Sequence, residues 1–242
     1  RWIETDSHIQ TLDSFFAELL EEIAIEIGIP PDFEVDNQLE SQRIRQDVFA
    51  VLREEYRGQF RQLEAAYPAA DHREYPPQSV ESMLYEAHQR CREFGISPAD
   101  AVDSLRESLL VSHGGHSGDG PGDGPQSVPP ETVADIEAIL RAVVDPDAEL
   151  AYDSQADAEQ LLEHVRSTYF ATEEAIDAFG TLLIAFDQRY DQQTTQAGQF
   201  TFIDVAHLLY SHLDGLDADD PYLQTLGERF DHVFVDEFQD TS

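Results

Sequence analysis

Apolar residues recur along this chain at three- and four-residue spacing, and that period confines it to a mainly helical fold with little room for a large sheet. Leu12, Phe15, Phe16, Leu19, Leu20, Ile23 and Ile27 share one face of a helix. Gly28, followed by Pro30 and Pro31, stops it, because glycine closes helix ends and proline cannot continue them. Leu39, Ile44, Val48, Phe49, Leu52, Tyr56 and Phe60 predict one long or two shorter helices over 37–63. Further helices are predicted over 79–94 and 98–111, from Glu131 through Val143, over 158–170 and over 173–190. Residues 113–130 are dominated by Gly, Pro, Ser and Asp and read as a flexible linker. Thr201-Phe202-Ile203-Asp204 opens a short helix, and another follows Pro221. Strand signals lie only toward the two ends, in Ile9-Gln10-Thr11 and in the buried-strand pattern Val233-Phe234-Val235. The pattern predicts α/β segments distant in sequence with a helical insertion between them.

Charge decides where such helices can fold. The chain carries 50 acidic residues against 14 basic ones, a net charge of −36, and every basic residue is arginine. At ordinary ionic strength that self-repulsion opposes a compact state. At about 1 M salt the screening length falls to roughly 3 Å and most of the penalty disappears. A disordered acidic tail would show no amphipathic period, so the acidity reads as adaptation to a salt-rich cytoplasm of the kind haloarchaea maintain. Circular dichroism is therefore expected to show helix growing as KCl rises from about 0.1 M toward molar levels. A spectrum unchanged across that range would contradict the reading.

The missing lysine also excludes chemistry within these 242 residues. A phosphate-binding P-loop needs its lysine to reach the β- and γ-phosphates, and Schiff-base and kinase-type sites need one as well. Cys91 is the only cysteine, which removes internal disulfides and cysteine-rich metal sites. No stretch approaches the roughly 18 apolar residues of a membrane helix, and Arg1 to Asp6 lack the layout of an export signal, so a cytoplasmic location is expected. His113-Gly114-Gly115-His116 offers too few ligands for a metal, and the single Gly-Asp run at 118–124 lacks the partner turns of a calcium repeat. Both read as linker.

The chemistry lies at the C-terminal end, in His232-Val233-Phe234-Val235-Asp236-Glu237-Phe238-Gln239-Asp240-Thr241. A buried strand ending in two adjacent carboxylates suits nucleotide hydrolysis. The first stands at the strand's C-terminal edge, where open α/β sheets bind ligands, and can hold Mg²⁺. The second points to the other side of the pleat and can polarise an attacking water. The whole string resembles motif II, the Walker B box, of superfamily 1 helicases of the UvrD/Rep and AddA/RecB kind. Thr11-Leu12-Asp13-Ser14-Phe15, followed by an amphipathic helix and Gly28-Ile29-Pro30-Pro31, is similar to the Thr-x-His-Ser-Phe box of the same families, with Asp13 in place of the usual histidine. Asp13 cannot donate to a phosphate, and it is a candidate cap for the helix. Thr201-Phe202-Ile203-Asp204 resembles the segment that returns from the inserted helices to the motor.

This resemblance implies part of a RecA-like P-loop NTPase core with a large, mainly helical insertion. Residues 1–35 would form a core segment with the DNA-contact box, 36–195 the insertion, and 196–242 the return to the core ending in motif II. It implies ATP and Mg²⁺ as cofactors and single-stranded and duplex DNA as partners, together with nuclease or repair subunits. Asp236 would hold Mg²⁺, Glu237 would activate water, and Gln239 would link the γ-phosphate state to DNA. Thr11, Ser14 and Phe15 would contact single-stranded DNA. The implied activity is ATP-driven 3′-to-5′ translocation and unwinding in replication, recombination or repair. Phosphate-binding motif I would precede Arg1 and the later motifs would follow Ser242, so these residues alone would not close an ATP site. Two other readings stand beside it: the motor subunit of an AddA/RecB-type helicase–nuclease, and a non-catalytic helical module that binds partners.

Overall fold

A computed structural model describes residues 11–66, 79–111, 173–217 and 219–229. The strand expected at 233–235, the linker at 113–130, the helices expected near 131–143 and 158–170, and residues Ile9 and Gln10 lie outside the described residues. Helix α1 spans Leu12–Ile23, and its N-cap is Thr11, whose hydroxyl accepts from the Ser14 backbone N–H at 3.2 Å. The cap is therefore not Asp13. Its carboxylate instead lies within the first turn, where the helix dipole favours negative charge. The apolar face continues past Ile23 through irregular turns and closes at Gly28, at φ 78°. There the Ile29 N–H reaches the Ala24 carbonyl at 2.9 Å and the Gly28 N–H reaches Ile25 at 3.3 Å, the paired bonds of a Schellman closure.

Strand β1 (Glu34–Val35) follows, then α2 (Gln38–Glu55), α3 (Arg57–Ala66), α4 (Val80–Glu93) and α5 (Pro98–Val111). The apolar run over 37–63 thus forms two helices, broken at Tyr56, whose ψ of 34° leaves the helical region. Next come α6 (Glu173–Ala197), β2 (Gln199–Phe200), α7 (Phe202–Asp214) and α8 (Pro221–Arg229). Helix α6 runs seven residues beyond the expected end at Tyr190, through Asp191-Gln192-Gln193-Thr194-Thr195-Gln196-Ala197, which has no apolar period. The Thr194 hydroxyl bonds back to the Tyr190 carbonyl at 2.9 Å, which satisfies the one buried polar side chain of this stretch.

The two strands pair in parallel, Glu34 with Gln199 and Val35 with Phe200. Sequence reasoning missed them, because two residues are too few to show a period of two. Tertiary contacts hold them instead: Phe33 meets the Phe200 ring edge-on at 5.7 Å, and Glu34 N–H bonds the Gly198 carbonyl at 2.8 Å.

Among the described residues, the buried apolar side chains form two clusters. The larger unites α2 to α6 around Val48, Leu52, Met83, Leu84, Phe179 and Phe186, with Phe49 and Phe186 stacked at 4.6 Å. The smaller joins residues far apart in sequence: Leu19, Leu20 and Ile23 of α1 pack with Ile29, Phe200, Val205 and Leu209. Helix α8 lies against it through Tyr222 and Leu226, and Arg229 forms ion pairs with Glu18 and Glu22 of α1.

Helices α5 and α6 approach closely at Gly180, where an added Cβ would sit 2.5 Å from Val102 Cγ1. Gly180→Ala would gain about 1 kcal/mol in helix propensity. Overpacking is expected to outweigh that gain, at about 1–3 kcal/mol. The melting temperature should fall, and adding Val102→Ala should recover part of the loss. An unchanged melting temperature for Gly180→Ala alone would contradict this packing.

Candidate functional site

The Thr11–Phe15 box is built around the start of α1. Thr11 and Ser14 are exposed, and their hydroxyls bond each other at 2.9 Å with Thr11 donating. Phe15 is half-buried against the smaller core, its ring 6.0 Å from that of Phe16. The three residues are thus adjacent, two serving the cap and one packing into the core. Asp236, Glu237 and Gln239 lie outside the described residues.

A second polar centre escaped sequence reasoning. Arg92 on α4 has a side chain only 3% exposed, and its guanidinium is shared among four neighbours. Nη1 donates to Asp204 Oδ1 at 2.6 Å, Nε donates to His88 Nε2 at 2.9 Å, and Nη2 bonds Asp191 and lies 3.6 Å from Asp187 Oδ1. Asp204 is fully buried and divides its two oxygens. Oδ1 takes Arg92, while Oδ2 accepts from the Thr201 N–H and hydroxyl, both at 2.8 Å, and from the Tyr190 hydroxyl at 3.3 Å. Thr201 and Asp204 form a reciprocal capping box that starts α7, as the sequence pattern Thr-x-x-Asp allows. The rings of Tyr190, His88 and Phe186 wall the cluster.

Burial and charge oppose each other here. Burial pulls the Arg92 pKa down, but the Asp204, Asp191 and Asp187 carboxylates outweigh it and hold it above the ordinary value. Burial depresses His88, and the neighbouring Asp187 carboxylate, which favours the protonated ring, only partly offsets it. His88 Nε2 lies 2.9 Å from the Arg92 Nε and 3.2 Å from Asp187 Oδ1, so it accepts from the guanidinium when the ring is neutral there and donates to the carboxylate only when it carries the proton. Burial raises Asp187, yet His88 and Arg92 bring it below the ordinary carboxylate range. Asp191 keeps about half of its side chain in solvent, and the desolvation of the rest, with the neighbouring Asp187 charge, raises it despite Arg92. Burial, and then the Asp204 charge, push the Tyr190 phenol well up, so it remains a donor.

His88, Asp187 and Asp191 place ligand atoms within 4.8 Å of one another, close enough to hold a metal ion. The Arg92 guanidinium already sets cationic nitrogens against all three, so the cluster is served from within the chain. Cys91 is fully buried in the larger core, as its apolar helical position predicts. His207 is half-buried, and its buried Nδ1 has no hydrogen-bond partner among the described residues. The signals for the polar centre were the i, i+4 pairs His88/Arg92 and Asp187/Asp191. In a chain with 50 acidic residues, such aspartates look like solvated surface.

The family model for the UvrD/REP helicase N-terminal domain matches residues 4–242. The chain belongs to the UvrD/REP helicase family. Membership implies a P-loop NTPase core and a helicase that binds ATP and DNA. No curated protein matches the chain. Among the described residues, no helix is long and apolar enough to cross a membrane.

Proposed function

We propose that the chain is part of an ATP-dependent DNA helicase that moves 3′ to 5′ along single-stranded DNA and separates duplex ahead of it. The observation that carries this reading is the family match over residues 4–242. Residues 1–35 and 196–242 belong to the motor and 36–195 to the helical insertion. The shared core of α1, Ile29, Phe200 and α7 supports that division, since it packs residues from both outer segments together.

Within this reading Asp236 offers hard carboxylate oxygens, the donor type that Mg²⁺ prefers. Mg²⁺ bound with the nucleotide supplies the charge that offsets the phosphates. Glu237 accepts the proton of the attacking water, and Gln239 relays the nucleotide state toward DNA. The phosphate-gripping lysine comes from elsewhere in the complete protein, because these residues contain none.

Thr11, Ser14 and Phe15 are the DNA contacts. A net charge of −36 is poor for a phosphate-binding surface. Phosphate contacts weaken steeply with salt, so in a molar-salt cytoplasm they contribute less in any case. Base stacking, at about 1–3 kcal/mol per base, then carries more of the binding. The test uses the complete protein in about 1 M KCl, where surface charge is screened. Single-stranded DNA should stimulate ATP hydrolysis, and photocrosslinks should map to α1 at or beside Phe15. Stimulation with crosslinks confined to other elements would remove the DNA role of the box, and absence of stimulation would remove the helicase reading itself.

A further inference from the structure

We infer that Arg92 is a positioning residue that ties the helical cluster to the start of α7, so that ATP turnover in the motor is mechanically coupled to strand separation. This rests on the helicase reading above and concerns how two parts of that machine are joined. The two apolar clusters are separate. Where α4 of the larger meets α7, which contributes Val205 and Leu209 to the smaller, the contact is polar and directional: Arg92 Nη1 to Asp204 Oδ1 at 2.6 Å, both side chains buried. Gly95, one residue past the C-cap of α4, adds a second contact farther along α7. It is held at φ 65°, and a Cβ there would lie 2.8 Å from the Tyr210 ring.

A buried ion pair is a poor choice if only stability is required. Desolvation costs several kcal/mol per ion, and well-packed apolar residues often hold a fold as firmly. What an ion pair adds is registry, the best-attested use of buried charge. An apolar contact can slide by an ångström with little loss, whereas a 2.6 Å charge-assisted hydrogen bond cannot. The same Asp204 closes the cap of α7 through Oδ2, so a shift that strains the Arg92 bond also loads the first turn of α7. Tyr190 and Asp191 bring α6 into the same centre, which gives the clasp a rigid base in the longest described helix. Arg92 touches neither nucleotide nor DNA in this account; it acts through Asp204.

The test is made in the complete helicase with Asp204→Asn. Asparagine keeps the size and an oxygen for the α7 cap, and Arg92 remains paired with Asp191 and Asp187. Hydrolysis stimulated by single-stranded DNA is measured for kcat and KM, alongside base pairs opened per ATP consumed. The expected result is kcat and KM within about twofold of the parent. Base pairs opened per ATP should fall about five- to tenfold, the lower range of coupling between sites. Arg92→Lys provides a second variant if Asp204→Asn does not fold. A single ammonium cannot span His88, Asp191 and Asp204 together, so it should lower the same ratio while keeping the charge. An unchanged ratio in a folded variant would overturn the proposal, as would parallel loss of hydrolysis and unwinding, which marks a merely structural role. A parent protein that neither hydrolyses ATP nor opens duplex would refute the helicase reading instead.

Discussion

Glu237→Gln in the complete helicase is expected to slow ATP hydrolysis by about 10²–10⁴-fold while leaving nucleotide binding in place. Glutamine keeps the size and hydrogen-bonding reach of Glu237 but has no carboxylate to take the proton from the attacking water. Asp236, the proposed Mg²⁺ ligand, is untouched, so the nucleotide should still bind. Unwinding should vanish with hydrolysis, since each step needs turnover, yet single-stranded DNA should still be held. Asp236→Asn should behave differently, weakening Mg²⁺-dependent nucleotide binding as well as turnover. Hydrolysis rates measured beside nucleotide affinity for both variants check the assignment. Near-normal turnover in the Glu237 variant would reduce the carboxylate pair to the polar end of a strand.

The largest expected effect on stability is at Arg92. Arg92→Ala leaves Asp204 fully buried without its cationic partner and strips Asp187 and Asp191 of theirs. Removing one member of a buried ion pair costs about 3–5 kcal/mol, because the remaining charge is left uncompensated. Arg106→Ala is the control. Its partners Asp103 and Asp177 are exposed, and such pairs contribute about 0–1 kcal/mol. Denaturant unfolding of the chain in about 1 M KCl, where surface pairs are screened further, should separate the two variants clearly. Equal losses would mean that the Arg92 centre is no more than another surface network.

The same contrast explains what could be read from the residues and what could not. Helices α4 and α5 follow from apolar spacing alone, and so does α1 as far as Ile23; Gly28, at positive φ, closes the irregular turns that carry its apolar face past that point. The end of α6 was hidden, because Asp191 to Ala197 carry no apolar rhythm; Asp191 there bonds Arg92 of α4 and Thr194 is buried. The β1–β2 pair was hidden because each strand is two residues long and its partner lies 165 positions away, as the Glu34–Gln199 side-chain bond also shows. Asp13 looked like the cap of α1 by residue type, but Thr11 has the extended backbone that capping requires, at φ −70° and ψ 155°. Arg92 was invisible for a different reason. Its neighbours in sequence are Cys91 and Glu93, and nothing local reveals that its partner is Asp204, 112 residues on. The motif strings, by contrast, are local, and they were enough to indicate the family that the match over residues 4–242 establishes.

As proposed, this chain is part of a motor that converts ATP hydrolysis into directional strand separation. The most direct test is unwinding by the complete protein on duplexes with a 3′ or a 5′ single-stranded tail, in about 1 M KCl to provide the screening its charge demands. The expected result is ATP-dependent opening of the 3′-tailed duplex and little opening of the 5′-tailed one. Opening of the 5′-tailed duplex alone would contradict the assigned direction, and failure to open either while hydrolysing no ATP would contradict the motor itself.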